Sequence, residues 1–232
     1  MSNRKKGKKK KLSIKKLIIG LVVLFSIILF LYKICTIHIT NIYIKGNMIL
    51  SDQEIIDIAG ISNYPNSIKN NFYVIEKRLS KNKYILSVHV HKSFLLNKVY
   101  IEIIENYPLF YYTYSDKTIL FNGKSTTDTF IVPTVINQIP DTIYDKFLKE
   151  IKDLDKEVLY RISEIKYSPN DVDQKRFLLI MNDGNYVYIT TNTFKLLNKY
   201  FEMIESFDNK KGILHLDSGE YFEIFTDDNK AI

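Results

Sequence analysis

Residues 41–61 read NIYIKGNMILSDQEIIDIAGI, and this stretch decides the fold of the front half of the chain. With the four residues before Asn41 it continues an alternation of apolar and polar side chains, IHITNIYIKGN, which predicts a strand running from Ile37 to a turn at Gly46-Asn47. Glycine suits such a turn because it adopts backbone angles other residues avoid. Ser51 and Glu54, three residues apart, spell the S-x-x-E capping box, in which each residue satisfies a backbone amide of the other at a helix start. Ile55, Ile58 and Ala59 then make an apolar helix face, and Gly60 ends it.

Working downstream, Pro65 marks a loop, and Phe72, Ile75 and Leu79 at helical spacing predict a second helix over about Phe72 to Asn82. Two alternating segments follow, Ile85 to His91 and Lys98 to Glu105. The front half therefore reads as a small α+β unit of order β-α-α-β-β.

Upstream, Leu17 to Tyr32 is an unbroken apolar run, and its extension through Ile37 makes 21 residues, about 31 Å of helix. That length crosses a bilayer. Lys33 can snorkel to the headgroups and Tyr32 suits the interface. A cleaved signal would share the basic front and apolar middle, but no small-x-small pattern follows in YKICTIHIT, and Ile34 stands where a lipoprotein site at Cys35 needs a small residue. A single-pass helix over 17–37 is the expectation. Nine Lys or Arg and no acid lie in residues 1–16, so the positive-inside rule places the N-terminus in the cytoplasm and the rest outside.

The formal charge of +7 belongs to that tail, because the remainder holds 24 basic residues against 26 acidic ones. A basic cluster against a span fits topology and anionic lipid of the cytoplasmic membrane better than nucleic acid, and no nucleic-acid partner is expected. The single cysteine excludes an intramolecular disulfide.

Beyond residue 107 the patterns predict strands at Phe110 to Tyr114 and Thr118 to Phe121 with an Asn122-Gly123 turn, a helix from Ile143 to Leu154, and strands at Ile162 to Tyr167, Phe177 to Met181 and Tyr186 to Thr190. Phe194, Leu197, Phe201, Ile204 and Phe207 trace another amphipathic helix, and Ile213 to Leu216 with Tyr221 to Phe225 make a final hairpin. This is a mixed, mainly antiparallel β domain with two helices. The expected organisation is a basic tail at 1–16, the span at 17–37, the β-α-α-β-β unit at 38–107, the β domain at 108–226 and a short tail at 227–232.

No catalytic constellation stands out. Ser163 and Lys166 have Ser-x-x-Lys spacing, but the Lys-Thr-Gly element is missing and Ser163 opens a strand rather than a helix. Gly123-Lys124-Ser125 looks like the end of a phosphate loop, yet Thr118 stands where that loop requires glycine. His89 and His91 share one side of a strand without further ligands at metal-site spacing. The carboxylates form no isolated pair for acid-base work. No enzyme activity, small-molecule substrate, cofactor or metal is expected.

The run G-N-x-x-L-S-x-x-E-I at Gly46 to Ile55, followed by the second helix, YILSVHVHK and VYIEIIENYP, resembles a POTRA domain of the FtsQ/DivIB type. Gly46, Asn47, Ser51, Glu54 and Gly60 are the residues of that structural motif. Glu105 and Pro108 match the E-x-x-P that closes the domain, and IVPTVIN at 131–137 is similar to the L-P-x-I-x-G segment, with Asn137 in place of a glycine at an expected left-handed turn. Leu95 and Leu96 stand where the family usually has a proline and a small polar residue.

The resemblance covers essentially the whole chain and implies a divisome scaffold that binds the bitopic proteins FtsL and DivIC (FtsB in Gram-negative bacteria) and locates to the septum. Partner binding is then implied for the terminal hairpin, at Leu216, Ser218, Gly219, Glu220, Tyr221, Phe222, Glu223 and Ile224, by addition of a strand. A second implied surface is the POTRA face through Ile42 to Ile44 and the first helix. The competing readings are a POTRA-bearing assembly or translocation factor and an accessory domain of a cell-wall enzyme.

Overall fold

In the computed structural model, which describes residues 14–226, the chain parts into two units between Glu105 and Asn106. The basic residues before Ile14 and the tail from 227 onward lie outside the described residues.

The first unit opens with helix α1, Ile14–Cys35, 22 residues long with no buried side chain. It is long and apolar enough to cross a membrane. Strand β1 (Asn41–Lys45), helices α2 (Asp52–Ala59) and α3 (Phe72–Leu79), and strands β2 (Ile85–Lys92) and β3 (Lys98–Glu105) follow. The sheet order is β1-β3-β2, with β1 parallel to β3 and β2 antiparallel to it. Ile55, Ala59, Ile75 and Leu79 from the helices meet Val90, Val99, Ile101 and Ile103 from the sheet in one buried core. The first strand is shorter than the alternation suggests. Residues before Asn41 are extended, but they bond a loop instead of a strand: Ile39 N–H donates to Pro65 O at 3.0 Å and Ser67 N–H to Ile37 O at 2.8 Å.

The cap at α2 forms as spelled, with Glu54 N–H donating to Ser51 Oγ and Ser51 N–H to Glu54 Oε2 at 2.8 Å. Gly60 closes the helix at φ 65°. Asn47 Nδ2 donates to Leu50 O and to Asp52 Oδ1, both at 2.9 Å, folding the loop onto the helix start. Gly46, at φ 92°, leaves β1 so close to β3 that a Cβ there would sit 2.1 Å from Ile103 O. The carboxylate of Glu105, 5% exposed, accepts the amides of Met48, Ile49 and Leu50 at 2.8–3.1 Å. Three successive backbone donors of the loop are thereby satisfied by one anion at the end of β3.

The second unit carries β4 (Pro108–Tyr112), β5 (Lys117–Leu120), β6 (Ser125–Thr126), β7 (Thr134–Val135), α4 (Asp141–Lys152), α5 (Lys156–Leu159), β8 (Ile162–Tyr167), β9 (Arg176–Met181) and β10 (Tyr186–Thr190). A 3-10 helix at Phe194–Lys199, α6 (Tyr200–Ser206), β11 (Gly212–His215) and β12 (Tyr221–Ile224) complete it. One mixed sheet runs β12-β11-β10-β9-β8-β7-β4-β5-β6, with three parallel pairs, β10–β11, β7–β8 and β4–β7, and the rest antiparallel. Phe147 of α4 stacks on Phe177 at 4.9 Å, and Phe194 meets both edge-on, forming the centre of the core.

Three sequence expectations change. The amphipathic run from Phe194 to Phe207 is half 3-10 and half α-helix, so its apolar face is shared between two short pieces. The helix α5 and the two-residue strands β6 and β7 are additions to the expected elements, too short to carry a periodicity in the sequence. Asn137 is not left-handed. Its side chain instead bridges the backbone of Tyr167, donating to O and accepting from N–H at 2.8 Å each, which fastens the segment after β7 to β8.

Candidate functional site

The terminal hairpin begins at Gly212. A Cβ there would lie 2.1 Å from Glu223 O, so only glycine lets β12 approach β11 at this register. Beneath it, Gly212 N–H donates to Asn185 Oδ1 at 3.0 Å, and Asn185 Nδ2 donates to the Tyr200 hydroxyl at 3.0 Å. That hydroxyl in turn donates to Asp183 at 2.9 Å. Burial foremost, with Asp183 alongside, pushes the Tyr200 hydroxyl well above its ordinary pKa. This buried polar chain ties the β9–β10 turn, α6 and β11 into one support.

The turn after β11 is held from the other face. Arg176 Nε donates to Asp217 Oδ2 at 2.7 Å, and its guanidinium lies 3.6 Å from the Tyr188 ring centroid. Burial alone would raise the Asp217 carboxyl, but the hydrogen bond and charge of Arg176 outweigh it and hold the pKa below the usual carboxylate range. His215 stacks on Tyr221 at 4.3 Å, with its ring nitrogens 3.7 Å from Asp217 and 3.5 Å from Glu223.

Strand β12 is the sheet's end strand and pairs only β11 among the described residues. The bond from Phe225 N–H to Lys211 O at 2.9 Å, with the register Gly212 to Ile224, fixes the phase of the ladder. Hydrogen-bonded pairs alternate along antiparallel strands, so Tyr221 and Glu223 turn their backbone groups to β11 while Phe222 and Ile224 turn theirs to the open edge.

The side chains divide differently. Tyr221, at 49% exposure, Glu223 and Ile224, at 44%, are accessible, as are Ser218, Gly219 and Glu220 in the turn. Phe222 is half-buried, stacked on Phe207 at 4.8 Å. Leu216 is a correction: at 2% exposure it belongs to the core and offers no surface to a partner. In the first unit Ile42 and Ile44 are partly buried against the core, and Asn41, Tyr43 and Lys45 are the exposed residues of β1.

The tempting catalytic pairs come apart. Ser163 is half-buried at a β-bulge near the start of β8, whereas Lys166 is exposed beyond it, in register with Leu178. His91 stacks flat on Tyr100 and His89 lies 3.7 Å from Glu76. No group of three or more metal-ligating side chains occurs among the described residues. Arg176, His215, Gly212, Asn185 and Tyr200 were not singled out in the sequence. Only Gly212 carried a signal, as a glycine opening a strand.

The POTRA domain, FtsQ-type, family model matches residues 37–106. The cell division protein DivIB of Bacillus subtilis (strain 168) is 32% identical over 207 residues, covering 83% of this chain and 76% of that protein. The chain belongs to the DivIB family. DivIB of Solibacillus silvestris (strain StLB046) is 29% identical over 206 residues, covering 84% of this chain and 71% of its own. A solved structure, the major extracytoplasmic domain of the trans isomer of the cell division protein DivIB from Geobacillus stearothermophilus, matches at 22% identity and a TM-score of 0.36, over 44% of this chain and 93% of its own. Membership in a family of cell division proteins supports a divisome role for this chain and division proteins as its partners.

Proposed function

We propose that this chain is a non-enzymatic, single-pass scaffold of the divisome, anchored by α1 with its N-terminus in the cytoplasm. Its extracytoplasmic part binds FtsL and DivIC at the septum, and β12 receives a strand of the partner. The observation that carries the binding reading is the phase of β12: the backbone groups of Phe222 and Ile224 face an edge that no described strand covers. Such an edge needs either cover or a partner. Strand addition draws affinity from those backbone groups and specificity from alternating side chains, here Tyr221, Glu223 and Ile224 with the turn at Ser218 to Glu220.

The basic tail is assigned to anionic lipid of the cytoplasmic membrane. Exposed Tyr43 of β1 and the face of α2 make a second surface for division proteins. Co-purification of DivIC with the full-length chain, against a chain ending at Asp217, tests the assignment. The shortened chain loses DivIC while its POTRA domain stays folded; undiminished co-purification would reject the edge as the binding site.

A further inference from the structure

The turn between β2 and β3, Ser93 to Asn97, is apolar at its tip, with Phe94 98% exposed and Leu95 68% exposed. Leu96 adopts φ 59°, the left-handed region that a bulky side chain rarely enters. Local folding alone would choose glycine or asparagine there.

This tip is held beside the outer end of α1. Phe94, Leu95 and Leu96 form one side of an open groove of about 850 Å³ whose other side includes Phe30, Lys33 and Ile34. The placement is fixed by bonds on both sides of a short connection. Asn66 Nδ2 donates to Cys35 O at 2.5 Å, at the end of the helix, and the Ser67 hydroxyl donates to Leu96 O. Thr40 N–H donates to Asn97 O at 2.8 Å. Thr40 stands five residues past Cys35, a distance of at most about 17 Å when fully extended.

We infer that the Phe94-Leu95 tip inserts into the outer leaflet of the membrane beside α1, as a second and shallower lipid contact of the POTRA domain. This rests on the reading that α1 spans the bilayer. Lipid is the occupant because Phe30 and Ile34, facing the tip, belong to the outer end of the apolar helix, with Lys33 beside them able to reach the headgroups. The apolar tip extends that end sideways. Tyr32, 67% exposed, is an aromatic suited to the headgroup level just below Lys33. The contact would hold the POTRA domain against the bilayer instead of leaving it to swing on the connection.

The test uses the full chain in phosphatidylethanolamine–phosphatidylglycerol vesicles, with Cys35→Ser removing the only cysteine. Single cysteines at Phe94→Cys, Leu95→Cys, Tyr32→Cys and Ser87→Cys carry an environment-sensitive fluorophore. Ser87 is exposed near the far end of β2, some 20 Å along the strand from the tip. Lipids with a nitroxide high on the acyl chain quench the probe at 94 and 95 to the extent seen at 32, and iodide in the buffer quenches the probe at 87 alone. Strong iodide quenching at both 94 and 95, with lipid quenching at 32, overturns the inference and leaves the span intact. Protection of the tip from both quenchers also overturns it, because protein then fills the groove. Loss of lipid quenching at 32 is the distinct failure of the spanning reading.

Discussion

Arg176 and Asp217 form an ion pair at 2.7 Å that joins β9 to the turn leading into β12, with the Arg176 side chain only 16% exposed and that of Asp217 9%. The pair reaches across β10 to the end of β11 and holds the turn where β12 must begin. The candidate interaction edge therefore depends on a charge held on β9, three strands away from it.

Acid should loosen the hairpin. Asp217 has a folded pKa below its unfolded value, so its contribution is complete above about pH 4 and is lost as pH falls through the lower folded value. Hydrogen-exchange protection of the Glu223 and Phe225 amides is expected to fall over that interval while the amides of β9 stay protected. In Asp217→Asn the protection is lower at neutral pH, and its dependence on pH over this range disappears.

Gly212→Ala is expected to displace β12 locally, because the added methyl collides with Glu223 O and the Phe222 ring. The Phe225 amide loses protection and partner binding weakens by about tenfold, an effect near 1.4 kcal/mol. The rest of the second unit melts close to its original temperature, since the core around Phe147 is untouched.

Tyr200→Phe removes one hydroxyl from the buried chain of Asp183, Tyr200, Asn185 and Gly212. Asn185, with no exposure, then loses its side-chain donor's partner, at a cost of about 1–3 kcal/mol in denaturant unfolding.

Glu105→Ala withdraws the acceptor shared by the amides of Met48, Ile49 and Leu50. The POTRA domain is expected to lose about 2–4 kcal/mol, and Glu105→Gln, which keeps one acceptor oxygen, loses less. Separate unfolding transitions for the two units would assign the loss to the first.

The front half was legible because its signals are local. The Ser51–Glu54 cap, the Gly60 stop and the period-two strands each fall within a few residues, and the folded unit keeps their order. The role of Glu105 was not legible, because the amides it binds lie 55–57 residues earlier in the chain. In the second unit the two residues of β7 sit between β4 and β8 as parallel neighbours, a placement set by tertiary pairing that no pattern in IVPTVIN encodes. At the terminal hairpin, sequence located the strand but could not supply the phase of its hydrogen bonds. It therefore grouped Leu216, a core residue, and Phe222, a packing residue, with exposed Tyr221 and Ile224.

The most direct test of strand addition at β12 is the affinity of the full-length Ile224→Pro chain for DivIC, measured beside its melting temperature. Proline removes an N–H that points away from β11, so the hairpin keeps its internal bonds. The account predicts at least about a tenfold loss of affinity, near 1.4 kcal/mol, with an unchanged melting temperature. An affinity equal to that of the unaltered chain, at equal stability, would contradict it.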